Sequence, residues 1–245
     1  MNVKTNQTTP IVSLKDVNIK FLDFTAVKKL SMTVNSGEIV GILGSNGAGK
    51  SSTMKAIAGV IKPTGGTITV SGLDLSSGIA SEQAKGLIGY CPDVGGLVVG
   101  ATPREHIQLL LNLHRKPELY PLSLKLTEAL GLIEFIDTPV GGFSHGMSRR
   151  LSVLLAALSA ENLLILDEPF DGVDPLGVIA INAVIREASA AGLAVIVSTH
   201  LQTLLTEISD RIIIMRKGDI LYEAPSSWFA GKFGAKRYQK LLDSE

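Results

Sequence analysis

Apolar and polar residues alternate along Val12-Ser13-Leu14-Lys15-Asp16-Val17-Asn18-Ile19, the pattern of a half-buried strand. Leu30-Ser31-Met32-Thr33-Val34 repeats it, as does Thr67-Ile68-Thr69-Val70 after the turn residues Pro63-Thr64-Gly65-Gly66. These short strands predict a small antiparallel sheet. Elsewhere the apolar runs are continuous, at 39–43, 87–91, 163–166 and 193–197. Such runs predict strands buried on both faces. Between them lie helix-length segments at 52–60, 102–115, 123–130, 147–160 and 175–190, and 210–222 reads as a hairpin around Lys217-Gly218. Thr102-Pro103-Arg104-Glu105 has the form of an N-cap, an N1 proline and a capping-box glutamate. No strand pattern interrupts 102–142, so this stretch is expected to be helical. Buried strands alternating with helices predict an α/β fold with a mainly parallel sheet. A small antiparallel β lobe flanks it, and a helical lobe is inserted.

At 245 residues and 45% apolar composition, the chain suits one domain with a substantial core. The helical lobe is expected at about 102–160. Lysine plus arginine equals aspartate plus glutamate, 23 each, so no net charge draws the protein to nucleic acid. No apolar run nears the roughly 18–20 residues that span a bilayer. Residues 1–10 are polar and lack the apolar centre of a signal peptide. A cytoplasmic protein is expected, with any membrane role exercised through a partner. The single cysteine, Cys91, excludes an intrachain disulfide and is expected to be a buried apolar residue.

The chemistry concentrates at Gly44-Ser45-Asn46-Gly47-Ala48-Gly49-Lys50-Ser51, which fits the phosphate-binding pattern G-x-x-x-x-G-K-[S/T]. A buried strand precedes it and a helix follows. Backbone N–H groups and the helix N-terminus there would cradle phosphates. Lys50 is expected on the β- and γ-phosphates and Ser51 on Mg²⁺. Ser45, Asn46, Gly47, Ala48, Gly49 and Ser52 complete the expected nucleotide contacts. Asp167 and Glu168 follow the apolar strand at 163–166, at the carboxyl end where open α/β sheets bind ligands. Asp167 would support the metal. Glu168 would orient or deprotonate an attacking water. His200 ends another buried run and is expected beside the nucleotide, touching the γ-phosphate, the glutamate or the water.

Together these segments resemble the ATP-binding cassette family, and the resemblance spans nearly the whole chain. It identifies 38–53 with the Walker A region, 163–168 with Walker B, Gly172-Val173-Asp174-Pro175 with the D-loop and His200 with the switch histidine. Phe143-Ser144-His145-Gly146-Met147 falls at the signature, usually Leu-Ser-Gly-Gly-Gln, and Asp93 at the Q-loop. The resemblance implies ATP and Mg²⁺ as ligands, with Ser51, Asp93 and Asp167 near the metal. It implies a homodimer, or a heterodimer with a related cassette, in which Ser144 and the N–H groups near Gly146 meet the partner's ATP. Phe21, with Phe24 as a weaker candidate, takes the place of the aromatic that stacks on adenine. The implied function is the ATPase of a membrane transporter, bound to an integral membrane subunit at the inner face of the membrane, and most like bacterial exporters. A groove near the Asp93 loop and 102–113 is the expected docking place.

Two positions depart from the pattern. Asp93 replaces a glutamine, exchanging a neutral oxygen and an amide donor for a charged ligand. His145 replaces a glycine in a closely packed seam, where it would either pair with phosphate or hold the seam apart. These departures keep open a nucleotide-binding regulatory subunit with little hydrolysis. A soluble cassette ATPase acting on the ribosome or DNA is the other alternative. The cargo is not legible.

Overall fold

The structure is a computed structural model that describes residues 9–243. β1 (Val12–Phe21) and β2 (Phe24–Val34) form an antiparallel hairpin whose tip pairs Phe21 with Phe24. β3 (Ile39–Leu43) leads through a glycine-rich turn into α1 (Lys50–Ile57). β4 (Gly65–Val70) and β5 (Leu73–Asp74) join the first hairpin in a four-stranded sheet ordered β2-β1-β4-β5. Next come α2 (Gly78–Gly86), β6 (Ile88–Cys91), α3 (Pro103–Leu113), α4 (Tyr120–Ala129) and α5 (His145–Ser159). Then follow β7 (Leu163–Asp167), α6 (Pro175–Ala190), β8 (Ala194–Thr199), α7 (Gln202–Ile208), β9 (Arg211–Arg216), β10 (Asp219–Pro225) and α8 (Gly231–Asp243). The second sheet has six strands, ordered β10-β9-β3-β8-β7-β6, and only the β9–β10 pairing is antiparallel. This is the P-loop α/β core with a flanking antiparallel sheet that the apolar pattern predicts.

The continuous apolar strands have a simple cause. Successive side chains of a strand point to opposite faces, and both faces of the large sheet are covered. Leu164, Leu166, Val195 and Val197 enter one core with α5 and α6. Leu163, Ile165, Ala194 and Ile196 enter the other, shared with α1 and the antiparallel sheet. Each fully buried leucine or isoleucine contributes about 1.5–3 kcal/mol. Cys91 lies in the first core, and burial pushes its thiol up to about 11, so it stays protonated at neutral pH.

Between β6 and β7 every regular element is helical. The capping box on α3 forms in full. Glu105 N–H donates to Thr102 Oγ1 (3.2 Å), and Thr102 N–H donates to Glu105 Oε2 (2.8 Å). Arg104 Nε pairs with Asp137 at 2.6 Å, which ties the start of α3 to the loop before α5.

Arg211 fastens the two sheets together. It pairs with Glu38 Oε1 at 2.6 Å and with Glu223, and donates to the Thr33 carbonyl. Burial pushes the Glu38 carboxyl up, but Arg211 and the Asn35 N–H outweigh that and hold it below the usual range.

Several boundaries differ from the expectation. β2 starts at Phe24 rather than at 30, because β1 pairs with it along the whole hairpin. α1 spans Lys50–Ile57 rather than 52–60; it stops where Gly59 turns to φ +69°. α5 begins at His145, not 147, because Ser144 caps it by accepting from Met147 N–H (3.2 Å). β5, α2, α7 and α8 were not expected; β5 and α7 are short, and α2 has little apolar character.

Candidate functional site

The turn from β3 to α1 is built for close backbone approach. Gly49 sits at φ +104°, and a Cβ there would stand 2.5 Å from the Ala26 carbonyl oxygen. Only glycine meets both conditions. Helix α1 therefore starts at Lys50 with free N–H groups facing a cavity of about 310 Å³. Every residue of 45–52 lines that cavity, together with Phe24, Ala26, Asp93 and Glu168. A larger cavity of about 380 Å³ lies between α4, α5 and α6, but it is apolar apart from Glu187. The chemistry belongs to the first.

Lys50 is almost wholly buried. Its Nζ donates to the Gly44 carbonyl (2.8 Å) and lies 3.1 Å from Glu168 Oε1. The other carboxylate oxygen of Glu168 lies 3.2 Å from His200 Nδ1. Glu168 takes φ +48°, rare for a residue with a side chain. Its N–H is shared between the Ser198 carbonyl and Ser198 Oγ, both at 3.1 Å. These bonds hold the strained turn that brings Glu168 back over the phosphate loop. Ser198 Oγ also donates to Asp167 Oδ1 at 2.5 Å, so one hydroxyl orients both carboxylate residues.

Asp167 is fully buried, and its Oδ2 has no protein partner. Burial pushes its carboxyl above the usual range. The Ser198 and Ser51 hydroxyls oppose that push, and the Asp93 and Glu168 charges add to it. An orphaned, buried anionic oxygen beside a hydroxyl suits a hard divalent cation. Among the described residues, no group of three or more His, Cys, Asp or Glu side chains could hold a metal by itself.

Not all the expected site residues meet here. Phe24 lines the cavity; Phe21, its cross-strand partner, does not. Pairing across the hairpin places the two residues at one tip, and only Phe24 is on the cavity wall. Ser144 and Gly146 lie outside the cavity. A Cβ on Gly146 would stand 2.7 Å from the Gly172 carbonyl oxygen, so the start of α5 packs directly on the segment before α6. His145 follows it there: Nε2 lies 3.3 Å from Asp171 Oδ2, with the side chain 59% exposed.

Ser198, Asp171 and Arg149 were not singled out from the sequence. Ser198 lies two residues before His200, one strand period away, which was the available signal. Asp171 and Arg149 carry none, since their partners are remote in the chain.

The family model described as ABC transporter matches residues 27–171. The chain is 34% identical over 215 residues to an uncharacterized ABC transporter ATP-binding protein, YdbJ, of Bacillus subtilis, covering 87% of this chain and 69% of that protein. It is 31% identical over 219 residues to the bacitracin transport ATP-binding protein BcrA of Bacillus licheniformis, covering 88% and 70%. A solved ATP-binding subunit of an ABC transporter superposes with a TM-score of 0.86 at 27% identity, covering 95% of this chain and all of that one. The phosphate loop, the paired carboxylates and the histidine thus lie on a fold and in a sequence that agree: the chain belongs to the ABC transporter family, as one of its ATP-binding and ATP-hydrolysing cassettes.

Proposed function

We propose that this chain is the motor of a membrane exporter, working as a pair of cassettes that close on ATP and reopen after hydrolysis. One observation carries the reading. The cavity holds the phosphate loop and Glu168, with His200 beside it on the second Glu168 oxygen, while Ser144 and Gly146, with their helix N-terminus, lie outside it. A helix N-terminus with a serine cap is a phosphate donor surface, and a second cassette is the natural source of the phosphate. The partner is a second copy or a related chain.

In this reading residues 45–52 wrap the triphosphate and Phe24 covers the base. Ser51, Asp167 and Asp93 would hold Mg²⁺, which when bound would neutralise phosphate charge and draw electrons from the transferred group. Glu168 is released from Lys50 when the γ-phosphate takes its place on that ammonium. His200 keeps hold of the carboxylate. Glu168 then takes a proton from the attacking water, and the products are ADP and phosphate.

Residues 9–243 include no helix long and apolar enough to cross a membrane. In this reading, attachment to the inner face of a membrane runs through a separate subunit. Val94, Val98 and Val99 are exposed between β6 and α3, and Leu109 and Leu113 are exposed along α3. This apolar face supports docking of that subunit on the helical lobe, approximately residues 102–160 of a single cassette domain. Export is the direction proposed because the chain resembles single-cassette subunits of bacterial exporters; the name of one similar bacterial protein gives transport, of bacitracin, without a direction.

The test is Glu168→Gln. Hydrolysis should fall about 100-fold or more, while ATP·Mg²⁺ should convert monomer to dimer in light scattering. Unchanged hydrolysis would remove the role of Glu168, and a monomer at saturating ATP would remove the paired site. Co-purification from membranes should recover a multi-span protein; recovery of ribosomes instead would reject the transporter.

A further inference from the structure

Arg149 is a buried charge that the reading above leaves unused. Its side chain is 4% exposed. It lies on α5, one turn after His145, and reaches the end of β6. Nη1 donates to the Pro92 carbonyl at 2.7 Å. Nη2 donates to the Asp93 carbonyl and stands 3.4 Å from Asp93 Oδ1. Nε is buried without a partner. The Asp93 side chain is 43% exposed and forms part of the nucleotide cavity wall.

The two kinds of contact have different consequences. The main-chain bonds fix where the loop runs. The carboxylate contact is long and leaves the cavity side of Asp93 open. Two carboxylates, those of Asp93 and Glu168, line the proposed nucleotide cavity, and both charges act on the buried carboxylate of Asp167. Glu168 is balanced by Lys50. Asp93 has Arg149.

We propose that Arg149 is a positioning residue that neutralises the Asp93 carboxylate until the nucleotide's divalent cation draws it away. The inference rests on the nucleotide-binding reading and deepens it. Side-chain rotation moves the Asp93 carboxylate from the guanidinium to the cation, while the two carbonyl bonds keep the loop in place. Arg149 thereby sets how strongly ATP affinity depends on metal. Without Arg149, Asp93 repels metal-free ATP; with metal present, the cation absorbs that charge.

The experiment measures ATP affinity by calorimetry with Mg²⁺ and with EDTA, and takes the ratio of the two dissociation constants. Arg149→Gln should raise the ratio about tenfold, nearly all from weaker binding in EDTA. Asp93→Asn added to R149Q should return it to within about twofold of wild type, since no charge then needs balancing. An unchanged ratio in a folded R149Q protein overturns the proposal, as does a raised ratio that persists in the double variant. If R149Q does not fold, D93N in the wild-type background decides. The ratio should then fall about threefold, and no change overturns the proposal. Wild-type protein that binds no ATP under either condition would remove the nucleotide reading itself, a result distinct from an unchanged ratio.

Discussion

Lys50 Nζ lies 3.1 Å from Glu168 Oε1, with both side chains nearly sealed from solvent. The proposed phosphate-binding cation and the proposed general base thus neutralise each other in the nucleotide-free protein. A buried pair of this kind is costly to break from one side. Lys50→Ala should weaken ATP binding by about 2–4 kcal/mol, through loss of a charge-assisted contact. The variant also leaves Glu168 without its cation, so the nucleotide-free protein should melt earlier. Titration calorimetry and thermal melting read the two effects, and equal ATP affinity in wild type and K50A would refute the assignment.

Asp167 should behave in the opposite way. Its folded-state carboxyl titrates above the unfolded value, so its contribution to stability is fullest at low pH and is lost as pH rises through the folded value. At pH 7 the charge is a burden unless a cation binds. Asp167→Asn keeps an oxygen for the Ser198 hydroxyl and removes that burden. The metal-free variant should gain about 1 kcal/mol, or about 2–4 °C in melting temperature. The gain should shrink towards pH 4, and added ATP·Mg²⁺ should no longer raise the melting temperature as it does in wild type. A lower melting temperature in EDTA at pH 7 would show that the charge is already compensated.

Phe24 and Phe21 separate two accounts of the base-binding wall. Phe24 lines the cavity and Phe21 does not. Phe24→Ala should cost about 1–3 kcal/mol of ATP affinity if the ring stacks on adenine. Phe21→Ala should cost less than about 0.5 kcal/mol. The comparison needs only a fluorescent nucleotide titration, and the reverse ranking would return the role to Phe21.

His145 stands at the start of α5, against Asp171 and Gly172. It is more than half exposed, and in the proposed pair of cassettes it faces the partner's phosphates. Ser144 and the helix N-terminus already offer donors there, so the ring mainly adds volume. His145→Gly should raise both the ATP-driven dimer fraction and the hydrolysis rate, roughly two- to tenfold at pH 6–8. Lower activity across that range would show that the imidazole binds phosphate instead.

Local physics made most of the core legible. Gly49, Lys50 and Ser51 announce a phosphate loop because a turn of positive φ and a following helix are written in adjacent residues. The apolar runs at 39–43, 163–166 and 193–197 mark strands covered on both faces, and Asp167 and His200 stand at two of their carboxyl ends. The capping box at Thr102 and Glu105 is contained in four consecutive residues, and it forms as written.

Contacts between distant segments were not legible, and the tertiary structure alone decided them. The sequence ranks Phe21 above Phe24, whereas the folded hairpin puts Phe24, not Phe21, on the cavity wall. Ser198 orients Asp167 and Glu168 only because β7 and β8 are neighbours in the sheet. Arg149 meets Asp93 across 56 residues, through the packing of α5 on β6. Periodicity and turn chemistry act over a few residues and are carried by the residues themselves. A charge buried against a remote carbonyl depends on which elements touch, and that is settled only when the whole core closes.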